Sequence, residues 1–400
     1  MPHSGSADLS LMGGGIPPWL FDRMTKLSLV MVESILQEYG HQELLARMAN
    51  PFWFQSFGAV IGMDWNSSGV TTAVLRALKA GVNPHAKELG LFICGGKGKE
   101  SMRTPRELMR VGEITGLDGD QLVRHSRLSA KVDNTAIQDG FNIYIHSFLV
   151  SKDGDWSVVQ QGMRPETKGA RRYHWHSEGI QSFVVEPHSG IAGANQGELL
   201  DLTARAADST RTGILNIAAE KPELILREIP KMKLPSYCGV KSSDIDLKRL
   251  GSVLWLAQEA QMSNFEELLL LKGLGPRTLQ SLTLVSEVLH GTPSRFSDPA
   301  RYAFAHGSKN GRVFPVPTKV YDETISTLQK AVERAKMGHT DKQKAISSLT
   351  KLAQRAEVDF VAEDKLDELI EHERKQSHKY GGRTVKGWAK PSSGQLDLFD

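Results

Sequence analysis

The stretch from Phe141 to Gln161, FNIYIHSFLVSKDGDWSVVQQ, carries two runs of alternating apolar and polar residues on either side of Asp153-Gly154-Asp155. A period of two is typical of half-buried strands, and an Asp-Gly turn between two such runs favours an antiparallel hairpin. Arg171–Trp175 and Gln181–Glu186 repeat the pattern. We therefore predict an antiparallel sheet here, with strands over 141–150, 156–161, 171–175 and 181–186.

Strand, loop and helix signals alternate in the residues before this sheet. Ala59–Met63 and Leu89–Cys94 are short apolar runs that predict buried strands, and a loop rich in glycine or asparagine follows each of them. Such alternation is typical of α/β proteins. For a core domain over 1–219 the sequence thus leaves two fold classes open, α/β or α+β, with a mixed or antiparallel sheet.

The composition changes near residue 220, and the rest of the chain divides into further segments. Residues 220–242 hold few periodic positions and are predicted as a linker. From about 244 to 376 the spacing is mostly helical, with an exception rich in Gly, Pro and Ser at 291–318. We predict a helix-hairpin-helix region over 243–291, a loop and then a helical C-terminal region over 292–375, and a disordered basic tail over 376–400.

Residues 263–279, SNFEELLLLKGLGPRTL, form the strongest local motif. Gly273 and Gly275 allow a tight turn and close approach of the backbone to a ligand, while Leu274 between them fills the core. Pro276 opens the next helix, whose free amides and dipole favour a phosphate. The pattern resembles a helix-hairpin-helix, which binds DNA without sequence specificity; a plain helical hairpin is the alternative. The residues predicted to contact DNA are Lys272, Gly273, Leu274, Gly275, Arg277 and Thr278.

A second candidate phosphate contact is Gly95-Gly96-Lys97-Gly98-Lys99, with Lys97 and Lys99 as its cations. The Gly-x4-Gly-Lys-Ser/Thr spacing of a Walker A loop is absent, so nucleotide hydrolysis is not indicated. A solvated basic turn is the alternative interpretation of these residues.

The last six residues, Gln395–Asp400, read QLDLFD and follow a segment, Arg374–Lys390, with six Lys or Arg and no acid. They resemble the short peptide by which bacterial replication and repair proteins bind the sliding clamp. Exposed apolar anchors on a flexible tail need a partner, because otherwise they favour aggregation. The bacterial sliding clamp is therefore a predicted partner, bound through Gln395, Leu396, Leu398 and Phe399.

Several polar strings occur in a characteristic order along the chain. They include Asn50–Gln55, Asp64–Thr72, Gly95–Lys99, Ala130–Asn134, Gln138–Gly140, Val158–Met163 and Ala170–Trp175. Together they resemble family number 763 among the domains of unknown function, over roughly residues 8–340. The resemblance implies a role in DNA processing, with nuclease activity as one form of that role. It does not imply an established set of catalytic residues.

Polar residues around the predicted sheet are candidates for a catalytic site. Cleavage of a phosphodiester uses carboxylates or histidines that hold a metal, with a base and cations near the phosphate. Asp64 is included because it follows a predicted strand, where α/β proteins place ligand groups. The alternative is the polar, solvated face that an antiparallel sheet normally has. The candidates are Asp64, Asp133, Asp139, His146, Arg172, His174, Glu186 and His188, and the predicted cofactor is divalent Mg or Mn.

Composition limits the class of protein. Forty per cent hydrophobic and 24 per cent charged residues exclude wholesale disorder, and a net charge of +3 permits nucleic acid as a partner without requiring it. Two cysteines exclude a disulfide scaffold. No apolar run approaches the roughly 18 residues of a membrane span, and no secretion signal is evident, so a cytoplasmic, nucleoid-associated protein is predicted.

These observations give two main functional hypotheses. The first is a DNA-processing enzyme, a metal-dependent nuclease in repair or recombination that is tethered to the clamp. The second is a non-catalytic DNA-binding repair factor that uses the same hairpin and tail. An RNA enzyme is a third hypothesis, which the clamp-like tail disfavours. Convergence of Asp133, Asp139, His174 and Glu186 would favour the nuclease, and scattered carboxylates would favour the second hypothesis.

Overall fold

The protein is described by a computed structural model. It describes residues 16–63, 69–164, 169–232, 245–300, 318–334, 338, 340–348, 383–384 and 387–388. None of the helices in these ranges is long and apolar enough to cross a membrane.

A five-stranded sheet forms the centre of the fold. Its order is β1-β3-β4-β5-β6, and a three-stranded sheet has the order β2-β7-β8. Every strand pair in the described residues is antiparallel, so the fold class is α+β. The strands are β1 Leu91–Lys97, β2 Ile137–Gln138, β3 Asn142–Ser151, β4 Trp156–Arg164, β5 Gly169–His176, β6 Gly190–Ala192, β7 Glu198–Asp201, β8 Phe296–Ser297, β9 Arg383–Thr384 and β10 Gly387–Trp388.

Helices surround this sheet and connect its strands. They are α1 Pro18–Met48, α2 Pro51–Val60, α3 Gly69–Val82, α4 Ala86–Leu89, α5 Thr104–Thr115, α6 Gly119–Lys131, α7 Asp208–Ala219, α8 Pro222–Glu228, α9 Leu247–Glu259, α10 Phe265–Leu270, α11 Pro276–His290 and α12 Thr318–Arg334. Residues 340–348 are also helical. Part of the predicted linker, 222–228, is thus helical, and its Ile225 is buried.

The predicted hairpin at the centre of the chain is confirmed. Strands β3 and β4 pair around Asp153-Gly154-Asp155, where the Ser151 amide donates to the Asp155 carbonyl over 2.8 Å and Gly154 has a φ of +95°. Only glycine adopts such an angle at little cost, which explains why this turn is well specified by the sequence.

Two of the predicted strands are wrong. Ala59 lies near the end of α2, a helix whose side chains are buried on almost every side and therefore show no helical period. Residues 181–186 form turns, because the amides of Phe183 and Val184 bind the side chains of Glu266 and Ser182. Those amides are consequently unavailable for pairing with another strand.

Both faces of the five-stranded sheet are buried. Leu149 and Val159 pack against α1, α2 and α3 on one face. On the other face, Phe148 and Trp175 belong to a hydrophobic cluster that continues into the helices between 247 and 290. The helical region after residue 243 therefore shares a core with the sheet.

A buried ion cluster ties residue 298 to the middle of the sheet. Arg171 on β5 donates to Asp139 over 2.9 Å and to the two oxygens of Asp298 over 2.9 and 2.7 Å. Asp298 also accepts the amides of Gln196 and Ala300. A buried charge that loses its partner is costly, so this cluster fixes several loops at once.

We expect Asp298→Ala to lower the free energy of unfolding by about 3–5 kcal/mol, because it leaves buried Arg171 short of a counter-charge. The matched control is Lys26→Gln, which breaks the exposed Lys26–Asp22 pair and should cost less than about 1 kcal/mol. Urea denaturation followed by circular dichroism measures both. Equal, small losses for the two variants would contradict a structural role of the cluster.

Candidate nucleic-acid interface and buried polar clusters

Side chains on β5 alternate between the two buried faces of the sheet, as successive residues of a strand do. Arg171, Tyr173 and Trp175 hydrogen-bond to the aspartates at 133, 139 and 298 on one face. Arg172 and His174 contact residues of the α1–α2 corner on the other. The sheet thus divides most of the predicted catalytic residues into two clusters.

The first cluster centres on Asp133, which a turn of π-helix at Val132–Ala136 places under the sheet. One carboxylate oxygen accepts from Gln160 over 2.5 Å and Trp175 over 3.0 Å, and the other contacts His188 over 2.5 Å. Burial raises the pKa of Asp133, while the charge and hydrogen bond of His188 oppose that shift. The carboxylate is fully enclosed by donors.

His146 extends this cluster and is neutral. Its Nδ1 lies 2.8 Å from the side-chain oxygen Oε1 of Gln160, so Nδ1 carries the proton, and Nε2 accepts from the Ser126 hydroxyl over 2.8 Å. Burial lowers the pKa of His146 to about 4, although its hydrogen bond with Gln160 acts in the opposite direction. The ring is therefore a hydrogen-bonded part of the core at neutral pH.

Asp139 lies on the same face and is equally engaged. It accepts from the Tyr173 hydroxyl over 2.6 Å, from Arg171 over 2.9 Å and from the Phe141 amide over 3.0 Å. A metal ion needs carboxylate lone pairs that are not committed to N–H or O–H donors. The residues around Asp133 and Asp139 accordingly do not fit the predicted Mg or Mn, and no group of three or more His, Cys, Asp or Glu in the described ranges is placed to hold a metal.

The second cluster joins β5 to the corner between α1 and α2. Arg172 donates to His174 Nε2 over 2.7 Å and to the Pro51 carbonyl over 3.1 Å, and it stacks over Phe54. His174 Nδ1 lies 3.0 Å from the Met48 carbonyl. Burial lowers the pKa of Arg172 to about 9, and burial followed by the charge of Arg172 lowers that of His174 well below its usual value. These contacts fix the position of α2 against the sheet.

The remaining predicted residues are not part of either cluster. Glu186 lies in a loop with a φ of +45°, and its carboxylate is 3.7 Å from Arg205. Asp64 lies outside the described residues. The four groups that would distinguish the two functional hypotheses therefore do not converge, since His174 is separated from Asp133 and Asp139 by the sheet.

The hairpin between α10 and α11 has the predicted local geometry. The Asn264 side chain caps α10 by accepting from the Glu267 amide over 3.0 Å. Gly273 has a φ of +91°, and Leu274 is buried. Gly275 has extended angles, φ −126° and ψ 179°, so the turn itself requires glycine at 273 and not at 275. The expectation that both glycines serve the tight turn therefore holds for Gly273 and is wrong for Gly275.

Open amides and cations surround this turn. Among the described residues, the amides of Gly275, Arg277 and Thr278 have no hydrogen-bond acceptor, as is normal for the first turn of a helix. Lys272 and Arg277 are exposed. The arrangement leaves donors and positive charge at one point of the surface.

Two further cations, neither identified from the sequence, approach the same turn. Lys131 donates to the Leu274 carbonyl over 2.6 Å, and an Arg249 nitrogen lies 3.5 Å from where a Cβ on Gly275 would be. Burial, and then the charge of Arg249, lowers the pKa of Lys131. Like charges placed together favour an anionic partner.

Gly95, the first glycine of the segment that contains Lys97 and Lys99, has a structural role. Gly95 belongs to β1, and its amide donates to the Glu107 carboxylate over 2.7 Å, so it is not available to a phosphate. Lys97 and Lys99 themselves are exposed. A cradle of backbone amides is thus not formed at Gly95, and the two lysines remain as surface cations.

Comparison with known proteins identifies the family. The family model described as "Protein of unknown function (DUF763)" matches residues 5–316. The chain belongs to the DUF763 family. No curated protein and no solved structure matches it.

His146 gives this DUF763 protein a measurable pH dependence. The pKa of His146 is about 4 when folded and near 6.5 when unfolded, so below pH 6.5 the unfolded chain takes up a proton that the folded chain excludes. The contribution of His146 to the free energy of unfolding is therefore fully present above pH 6.5 and decreases as the pH falls. By pH 5 this decrease amounts to about 2 kcal/mol.

We expect His146→Gln to be less stable at pH 7.5 but to lose less stability than the wild type between pH 7.5 and 5. Comparing each protein with itself separates the titration of His146 from the hydrogen bonds that the substitution removes. Urea denaturation at the two pH values measures the difference. Identical losses would show that His146 is not buried in the neutral form.

Proposed function

We propose that this DUF763 protein binds the phosphate backbone of DNA at the hairpin turn between α10 and α11. The observation that carries the proposal is the set of open amides at the start of α11, surrounded by Lys131, Arg249, Lys272 and Arg277. Amides at a helix N-terminus, together with Lys and Arg, are the groups that bind phosphate oxygens.

Gly275 supports this proposal because the fold does not require it. Its backbone is extended, and among the described residues an added Cβ would meet only the Arg249 side chain, at an ordinary distance of 3.5 Å. The turn does not require glycine at 275, but the lack of a side chain there lets another molecule approach the backbone closely. Contacts of this kind reach phosphates and carry no base information, so binding is expected to be independent of sequence.

Between the two hypotheses for the core, the geometry favours a DNA-binding repair factor over a nuclease. The carboxylates of Asp133 and Asp139 are committed to protein donors, and His174 lies on the opposite face. Metal-dependent nuclease activity stays a prediction, which incubation of DNA with Mg²⁺ or Mn²⁺ tests. Binding of the sliding clamp through Gln395, Leu396, Leu398 and Phe399 also stays a prediction, because these residues lie outside the described ones.

We expect Gly275→Val to lower DNA affinity about 10- to 100-fold, which corresponds to the loss of one or two hydrogen bonds to a charged group. The loss should be the same for unrelated sequences. Gly338→Val is the matched control, since a Cβ at Gly338 meets none of the described residues within 4 Å. Fluorescence anisotropy with labelled duplexes measures the affinities, and thermal melting checks that both variants fold.

Unchanged affinity of a folded Gly275→Val variant would remove the hairpin turn from the function. Gly273→Val serves as a second comparison, because a side chain at a φ of +91° strains the turn itself. If only Gly273→Val weakened binding, the effect would come from the folding of the hairpin and close approach at Gly275 would be refuted.

A further inference from the structure

We infer that one end of the α5–α6 helix pair, opposite the connecting residues 116–118, is a second contact surface for the DNA backbone, continuous with the hairpin turn. This inference rests on the proposed function and extends its footprint. We call this surface the basic end and define it by Lys99, Arg103, Arg106, Arg127 and Lys131. It joins residues from the β1–α5 connection, the start of α5 and the last two turns of α6.

Antiparallel packing of two helices brings these residues together. Only residues 116–118 separate α5 from α6, and a Cβ on Gly112 would lie 3.0 Å from the Cα of Gly119. The helices are therefore in close contact at their joined end and run back along each other. The first turn of α5 and the last turn of α6 consequently lie at the same, opposite end.

The cations of the basic end face solvent. Arg103, Arg106 and Arg127 are exposed, and Lys131 is half-buried. Arg127 and Lys131 are four residues apart, which places them on one side of α6. Lys99, in the segment that leads into α5, is exposed as well. Each of these side chains is therefore able to reach a neighbouring molecule.

Most acidic side chains of α5 and α6 lie away from the basic end or are engaged in hydrogen bonds. Glu113, Asp118 and Asp120 lie at the joined end of the helices. Glu107, in the first turn of α5, accepts from Lys79 over 2.8 Å and from the Gly95 amide, so its charge is already engaged. Glu100, which folds against Gly96, is the acid close to the basic end. Among the described residues of α5, α6 and the segment that leads into α5, five cations thus lie opposite Glu100 at this end, and the surface complements a polyanion.

Lys131 connects the basic end to the hairpin turn. Its ammonium group donates to the Leu274 carbonyl over 2.6 Å, and Arg127 is one helical turn, about 6 Å, further along α6. Phosphates of one DNA strand repeat about every 3.4 Å along the duplex axis. A duplex with a phosphate at the start of α11 therefore meets the basic end within a few nucleotides.

Helix stability does not explain this charge distribution. Cations at the C-terminal end of α6 are stabilised by the helix dipole, whereas Arg103 and Arg106 lie at the N-terminal end of α5, where the dipole disfavours them. Both sets lie at the same end of the helix pair. An anionic partner, and DNA in particular because of the adjoining hairpin turn, accounts for both.

The test is the salt dependence of binding to a 20-base-pair duplex of mixed sequence. The variant is Arg103→Gln with Arg127→Gln, which removes one exposed cation at the N-cap of α5 and one on α6. Two lost phosphate contacts should make the slope of log affinity against log salt less steep by about 1.8. The matched control is Lys87→Gln with Lys152→Gln, two exposed lysines at the other end of the sheet, which should leave the slope unchanged.

Each result decides a separate claim. A slope equal to that of the control, with Gly275→Val still weakening binding, would overturn the second surface and leave the hairpin contact intact. No binding of the wild type to any duplex would overturn both. If the Arg103→Gln, Arg127→Gln variant lost affinity for anionic phospholipid vesicles and kept that for DNA, the basic end would be a lipid contact and the inference would be wrong.

Discussion

Helices cover both faces of the central sheet, and this double burial determines the role of its polar side chains. An antiparallel sheet often keeps one face in water, where charged residues are available to ligands. Here neither face is free, so each buried polar group needs a partner within the protein. Asp133, Asp139, Arg171 and His174 meet this requirement through hydrogen bonds to neighbouring strands, helices and loops. They hold the layers of the fold together.

Because the buried groups are engaged with one another, the proposed contact with DNA lies on the surface. The hairpin before α11 offers open amides, and the cations around it come from three separate parts of the chain: Lys131 on α6, Arg249 on α9, and Lys272 and Arg277 in the hairpin itself. The buried core supports this site indirectly, since Leu274 is anchored in the same hydrophobic cluster as Trp175. The buried core thus holds the hairpin turn in place. The start of α11 leaves backbone amide donors available there, as expected of a site that contacts a phosphate.

The sequence predicted the features that depend on local chemistry. Alternation in 141–161 gave two strands and their turn, and the glycines at 273 and 275 gave the hairpin. It failed where distant segments decide the outcome. The polar residues of β5 looked like a solvated or catalytic face, because nothing local shows that α1–α3 and the helices after 247 cover the sheet. Lys131 was missed since its partner, Leu274, is 143 residues away.

The most direct test of the account is the amide spectrum of the isotopically labelled protein during titration with a short DNA duplex. Resonances of Gly275, Arg277 and Thr278 should shift early and in proportion to bound DNA, because these amides are proposed to bind phosphate. Those of the Asp133 cluster, for example Gln160 and Trp175, should stay unchanged. Shifts at Gln160 and Trp175 with an unaffected hairpin would contradict the account and place DNA at the core of the sheet.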